Sequence, residues 1–343
     1  MNDKKSLIIS MIITIIVLFI ISSIVDLDKL SGELQSANLF YIFLALLSYL
    51  ILNIFINMRI SILLSAMGEK TSFKDSFFAH FGGMLASDFT PARSGYFLTA
   101  FLLTSQDQGK IEKTLTSIFA PQLLEFLLKV ICTGILTFVL IGRLESSTNW
   151  TPYIIASILS VAVIVVTFLS FLFVRGLLEK TLFITKFPGG KKIYYLFWLM
   201  RENSQYVRQK WKEVLLLTIS GWLFKGLEWY FVAQALGIHI FGSYYDYFFM
   251  LLFQAFLTLT HFIPLPTVAG AGAAEAVGSG VLAMFGISIE SSIAFLFLTR
   301  VLMIAVDLIG LKAIIPLFRK ESLDQVLNDL NKIEERFKVK AES

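Results

Sequence analysis

A chain of 343 residues in which 56% are hydrophobic, 16% are charged and 33 are Phe is not a water-soluble domain, where about a quarter of the residues would be charged. The net charge of +4 matters through its distribution along the chain. The lone Cys132 leaves no disulfide framework and no cysteine-based metal site.

The first apolar run, Leu7–Val25, has no charge at all. Roughly twenty such residues cross a hydrocarbon core of about 30 Å, and in lipid they must be helical to satisfy their own backbone. Lys4 and Lys5 precede the run and no small-x-small cleavage site follows it, so it reads as a retained helix and not a signal peptide. Further crossings are expected at about 39–66, 114–141, 151–174, 214–236 and 290–317. Two other apolar stretches, about 75–105 and 246–285, are interrupted by Gly and Pro. Each reads as two short helices that enter the membrane and return on the same side.

Charge supports that count. The connection 175–213 holds Arg175, Lys180, Lys186, Lys191, Lys192, Arg201, Arg208, Lys210 and Lys212, whereas the loops at about 26–38, 142–150, 237–245 and 285–289 hold only Lys29 and Arg143. With both interrupted stretches read as hairpins, every basic loop falls on the cytoplasmic side, as the positive-inside rule requires. Both termini are then cytoplasmic. Tyr194, Tyr195, Trp198 and Trp211 among the bases of the connection suit an interfacial helix on an anionic leaflet. Residues 319–343 carry Leu323, Val326, Leu327, Leu330, Ile333 and Phe337 at helical spacing and read as an amphipathic tail. The expected fold is all-α: a polytopic membrane bundle over 1–318, with about six full crossings and two re-entrant hairpins.

The same order of parts occurs twice, over about 39–141 and 214–317. A helix ends at Gly68 or Gly237; then come Phe77-Phe78 or Phe248-Phe249, and a Pro/Gly break at 91–95 or 264–272. Each half closes with a helix carrying a charge, Glu125 or Arg300. The first unit starts outside and the second inside, which makes the repeat inverted. Inverted repeats with broken helices in matching places belong to secondary transporters, whose sites lie where the breaks meet.

The second break, Phe262-Ile-Pro264-Leu-Pro266-Thr-Val-Ala-Gly270-Ala-Gly272-Ala-Ala-Glu275, resembles the Pro/Gly signature ending in G-x-x-E of the lysylphosphatidylglycerol synthase transmembrane region, or flippase-like domain, family. Thr90-Pro91-Ala-Arg93-Ser-Gly95 resembles that family's upstream T-P-x-x-x-G element. The chain departs from the pattern at Val268 and Ala269, and at Tyr96 and Phe97, where the family usually has an acidic residue after the upstream Gly. The resemblance extends over about 5–318. It implies the lipid-translocating portion without an attached synthase domain, hence a membrane lipid as substrate and no aminoacyl transfer.

The charges within the apolar segments nominate the site. Each costs roughly 2.5–3.5 kcal/mol on insertion scales, so such groups face a polar interior or pair. Arg93 and Glu275 lie inside the two breaks and Arg300 on the last helix. Half-helix N-termini and the planar fork of Arg both match phosphate oxygens. Pro91, Gly95, Pro264, Pro266, Gly270 and Gly272 would shape a pocket for a phosphate-bearing headgroup. Glu275, an anion, would pair with an Arg, cap a half-helix or carry a coupling proton. The spacings of Glu125 with Lys129 and of Lys225 with Glu228 allow local ion pairs, structural or functional. Arg59, near the cytoplasmic end of its helix, would snorkel. Asp307, two turns beyond Arg300, is a candidate partner for it, and Asp88 a further charge near the first break. His80 and His261 precede the two breaks and could titrate near neutral pH, though a structural hydrogen bond is the commoner use.

No P-loop, H-E-x-x-H or G-x-S-x-G motif is present, so the sequence offers no enzyme chemistry, cofactor or metal. Basic residues beside apolar helices point to phospholipid headgroups and not to nucleic acid. The function expected is a lipid translocase of the cell membrane, moving an anionic phospholipid or a polyprenyl-linked glycolipid between leaflets. The alternative is a module that presents lipid to a separate membrane synthase or glycosyltransferase.

Overall fold

The computed structural model describes residues 27–90, 93–107, 111–141, 201, 203–242, 244–260 and 272–318, with single positions at 159, 163, 166, 170, 194 and 198. All its regular structure is helical: α1 Leu27–Gln35, α2 Leu39–Ala66, α3 Phe73–Asp88, α4 Leu98–Asp107, α5 Ile111–Ile141, α6 Ser204–Gln209, α7 Trp211–Ala235, α8 Tyr244–Thr260, α9 Ala273–Ala283, α10 Ile289–Asp307 and α11 Leu311–Ile314. Short 3₁₀ turns precede α4 and flank α11. The crossing expected at 7–25, most of that at 151–174, most of the connection 175–213 and the tail 319–343 lie outside the described residues.

Three of the described helices are long and apolar enough to cross a membrane: Leu39–Ala66, Ile111–Leu140 and Ile289–Ile314. The crossing expected at 214–236 is α7, of comparable length at 25 residues but carrying Lys225 and Glu228 in its body. The interrupted stretches are each two helices around a break. Their arms have 16, 10, 17 and 11 residues, and at 1.5 Å per residue even the longest is about 26 Å long. Each arm alone falls short of the hydrocarbon core of about 30 Å.

Polarity is arranged for lipid. On α5, Ile131, Ile135 and Phe138 form an exposed apolar stripe, and on α2 Leu39, Phe40, Phe43 and Leu47 do the same. Further along α2, Tyr49, Asn53 and Asn57 are buried, four residues apart and so on one side of the helix. A soluble helix would turn these around. In hydrocarbon, polar groups must find partners inside the bundle.

The packing exchanges parts between the halves. α7 lies along α2, the first helix of the second half against the first helix of the first. α8 packs on α5 and α7, while α3 packs on the end of α10 and on α11. α3 therefore rests against the end of α10, and α8 against α5.

Candidate functional site

Thr90 closes the first break. Its hydroxyl oxygen accepts the Gly95 N–H at 2.6 Å and donates to the Ala86 carbonyl at 3.1 Å. Gly95 is required because a Cβ there would stand 2.3 Å from the Ala86 carbonyl group, which is backbone and cannot turn aside. The motif's Thr and Gly are thus the two ends of one tight loop. Arg93, inside it, adopts a left-handed conformation at φ 54°, which costs an L-residue about 1–2 kcal/mol. The loop holds the guanidinium beside α3: Nε donates to Ser87 Oγ at 3.3 Å and a terminal nitrogen donates to Asp88 at 2.9 Å.

After the second break, α9 starts at Gly272, at φ 86°. The Gly272 N–H donates to Glu275 Oε2 at 2.6 Å, capping the helix. The other oxygen, Oε1, takes Arg300 of α10 at 2.8 Å. Of the roles open to Glu275, the structure therefore gives it two at once, the cap and the arginine pair.

These two ion pairs meet. Asp88, Arg93, Glu275 and Arg300 line a single cavity with Trp229 of α7, Leu257 of α8, Ala274 of α9 and Leu296, Thr299 and Met303 of α10. It is a small cavity of about 70 Å³ that widens into an open mouth. In both pairs the carboxylate is the buried partner, with side chains 9% and 12% exposed, and the arginine is the accessible one, at 31% and 29%. A ligand entering the cavity meets guanidinium groups first. Apart from Thr299 its walls are otherwise largely apolar, so charge–charge contacts there are screened less than in water.

The remaining expected residues divide sharply. Glu125 pairs with Lys129 at 2.8 Å, and Lys225 with Glu228 at 2.8 Å, both within one helix. Arg59 corrects an expectation: it does not snorkel but is 2% exposed, donating to Thr218 at 3.0 Å and reaching Glu125 at 3.5 Å. Asp307 corrects another. Arg300 has gone to Glu275, and Asp307 instead accepts from the Tyr49 hydroxyl, 3.0 and 3.1 Å from its two oxygens. The reason is tertiary: α10 turns toward α9 at Arg300 but toward α2 and α3 at Asp307. His80 is wholly buried between Asn53 and Tyr96, at 2.8 and 3.1 Å, the structural use. Tyr96, where the family pattern has an acid, is its partner. Pro91, Pro264, Pro266, Gly270 and His261 lie outside the described residues. Sequence reasoning missed Tyr49, Trp229, Thr299 and Met303, since none is charged and each is at home in an apolar helix.

The lysylphosphatidylglycerol synthase TM region family matches residues 7–310. The chain belongs to that family. Its match runs through both breaks, both ion pairs and the helices that carry them, which places the cavity within the matched region and makes a membrane lipid-related module of this chain. No curated protein and no solved structure matches it.

Proposed function

We propose that the protein is a lipid translocase, and that the cavity between its two breaks receives the headgroup of a phosphate-bearing phospholipid or polyprenyl-linked glycolipid. One observation carries this reading: Arg93 and Arg300, far apart in sequence, open onto one cavity, each held by a carboxylate that a phosphate can replace. Exchange of one oxyanion for another keeps the guanidinium paired throughout, and the displaced carboxylate must be neutralised or hydrogen-bonded in turn, since a buried charge left alone costs several kcal/mol. Arg is suited to the exchange because its planar fork fits both acceptors.

In this reading the halves 39–141 and 214–317 are inverted repeats, the broken stretches are re-entrant hairpins, and alternating access moves one half against the other. The crossed packing of α3 on the end of α10 and of α8 on α5 supports it. The setting is the cell membrane with both termini cytoplasmic, and no catalysis is involved.

The test is leaflet exchange in liposomes containing the purified protein, with labelled anionic, zwitterionic and polyprenyl-phosphate lipids. Headgroup-selective exchange should fall about tenfold or more in Arg93→Gln and in Arg300→Gln, the equivalent of about 1.4 kcal/mol or more of lost stabilisation. Absence of exchange for every lipid, from protein shown to be folded, would leave a module that presents lipid to a separate synthase or glycosyltransferase.

A further inference from the structure

Beside the cavity sits a cation that the reading above does not use. Lys225 lies one helical turn before the cavity residue Trp229, on the same face of α7. Its ammonium donates to both oxygens of Glu228, at 3.1 and 2.8 Å, and to the Met303 sulfur at 3.4 Å. Met303 lines the cavity one turn beyond Arg300 on α10. Lys225 thus touches a wall residue of the cavity, and the contact is a thioether.

That contact is the weak one of the set. An ammonium has three protons to give, and a thioether is a weak acceptor. The bonds to Glu228 are charge-assisted at both ends; the third proton is left to sulfur. A further neighbour, the Tyr49 ring with its centre 5.0 Å away, offers a π face and no oxyanion. As in the two arginine pairs, the cation is the more accessible partner, its side chain 15% exposed against 1% for Glu228. Here no carboxylate has to be displaced, because a phosphoryl oxygen need only take the place of the sulfur. Met is suited to yield that place, being unbranched and free to turn about several bonds.

We propose that Lys225 is the third cation of the cavity, and that the site takes a headgroup with two phosphoryl groups, one for the arginines and one for Lys225. Met303 turns aside as the second group arrives, and Lys225 binds it while keeping Glu228. A single phosphodiester satisfies the arginines and leaves Met303 on Lys225. Two kinds of lipid offer this chemistry: a polyprenyl diphosphate, and a phospholipid with two phosphodiesters, such as cardiolipin. The proposal rests on the phosphate reading of the cavity, but its test separates the two.

The experiment measures binding to the purified full-length protein in detergent for two matched pairs. One is polyprenyl monophosphate against polyprenyl diphosphate of equal chain length; the other is phosphatidylglycerol against cardiolipin. In at least one pair the lipid with two phosphoryl groups should bind about tenfold more tightly or better, and the pair that shows it names the source. The Lys225→Met/Glu228→Gln variant removes the cation and its acid together, so the net charge is unchanged and no buried charge is left alone. It should lower that preference about tenfold, the worth of one hydrogen bond to a charged group. Equal binding within both pairs by the unmodified protein would overturn this proposal and leave a single-phosphate site standing, whether or not the variant folds. A preference undiminished in the folded double variant would overturn it as well. No binding of any of the four lipids would remove the phosphate reading and this proposal with it.

Discussion

The two breaks solve opposite problems. In the first, the break carries the arginine, and its acid is five residues back on the preceding helix. In the second, the break leads to the acid, and the arginine comes from a different helix, α10. The first break is knit locally, by Thr90, Gly95 and Ser87. Beyond its own helix cap, Glu275 of the second half depends on α10 for its pairing. A local pair sets the shape of its own loop. A pair across helices reports on how those helices sit, so it is the one that a movement between α9 and α10 would break. The comparison teaches that a polar cavity in a membrane bundle can be charged from either side of a break, provided that each cation keeps an acid.

The largest expected effect tests the tightness of the first loop. Gly95→Ala places a methyl against the Ala86 backbone and should cost about 3 kcal/mol or more, at the upper end for overpacking. Gly272→Ala, strained through its positive φ, should cost about 1–2 kcal/mol. Thermal unfolding in detergent would rank them, and equal losses would mean that the first loop can yield.

Glu275→Ala should come next. It removes the cap on Gly272 and the partner of Arg300 together, and a hydrogen bond to a charged group is worth about 1.5–3 kcal/mol. Glu275→Gln keeps a capping oxygen, and in the same unfolding assay should recover part of that loss while leaving Arg300 without an anion.

The loops entering the first arms offer a similar contrast. One oxygen of Asp246 accepts the N–H groups of Ile240, Phe241 and Gly242 at 3.0, 2.7 and 3.0 Å. Asp246→Ala leaves three donors unpaired and should destabilise by about 1–3 kcal/mol, whereas Asp246→Asn, which retains an acceptor oxygen, should lose less. In the first half, Ser72 caps α3 through the Asp75 N–H at 3.3 Å, and Ser72→Ala should cost about 1 kcal/mol at most. Denaturation midpoints would show whether the second loop is the more tightly held.

The smallest effect isolates the backbone of Arg93. Arg93→Gly and Arg93→Ala both lose the Asp88 pair, but glycine accepts a left-handed conformation without strain. The glycine variant should therefore be the more stable by about 1 kcal/mol, and both should fail in leaflet exchange. If alanine were as stable, the loop would have relaxed to a different conformation.

Sequence alone determined that the chain is a helical membrane protein, where α2, α5 and α10 run, and that Arg93, Glu275 and Arg300 deserved notice. The physical reason is cost: apolar runs of spanning length have few alternatives, and a charge within one stands out because hydrocarbon penalises it. The pairs Glu125–Lys129 and Lys225–Glu228 were legible too, since helical spacing by itself brings their partners together. Only the tertiary structure decided the contacts between helices. Arg300 and Asp307 share a face of α10, yet one turned to Glu275 and the other to Tyr49, because partner choice depends on which helix crosses at each turn. Tyr49 and Trp229 carried no signal, being aromatic residues that suit a lipid-facing surface as well as a core. Arg59 looked like a charge reaching for water, and the bundle closed over it with Thr218 and Glu125. A sequence prices each residue against its solvent, and the fold chooses its neighbours.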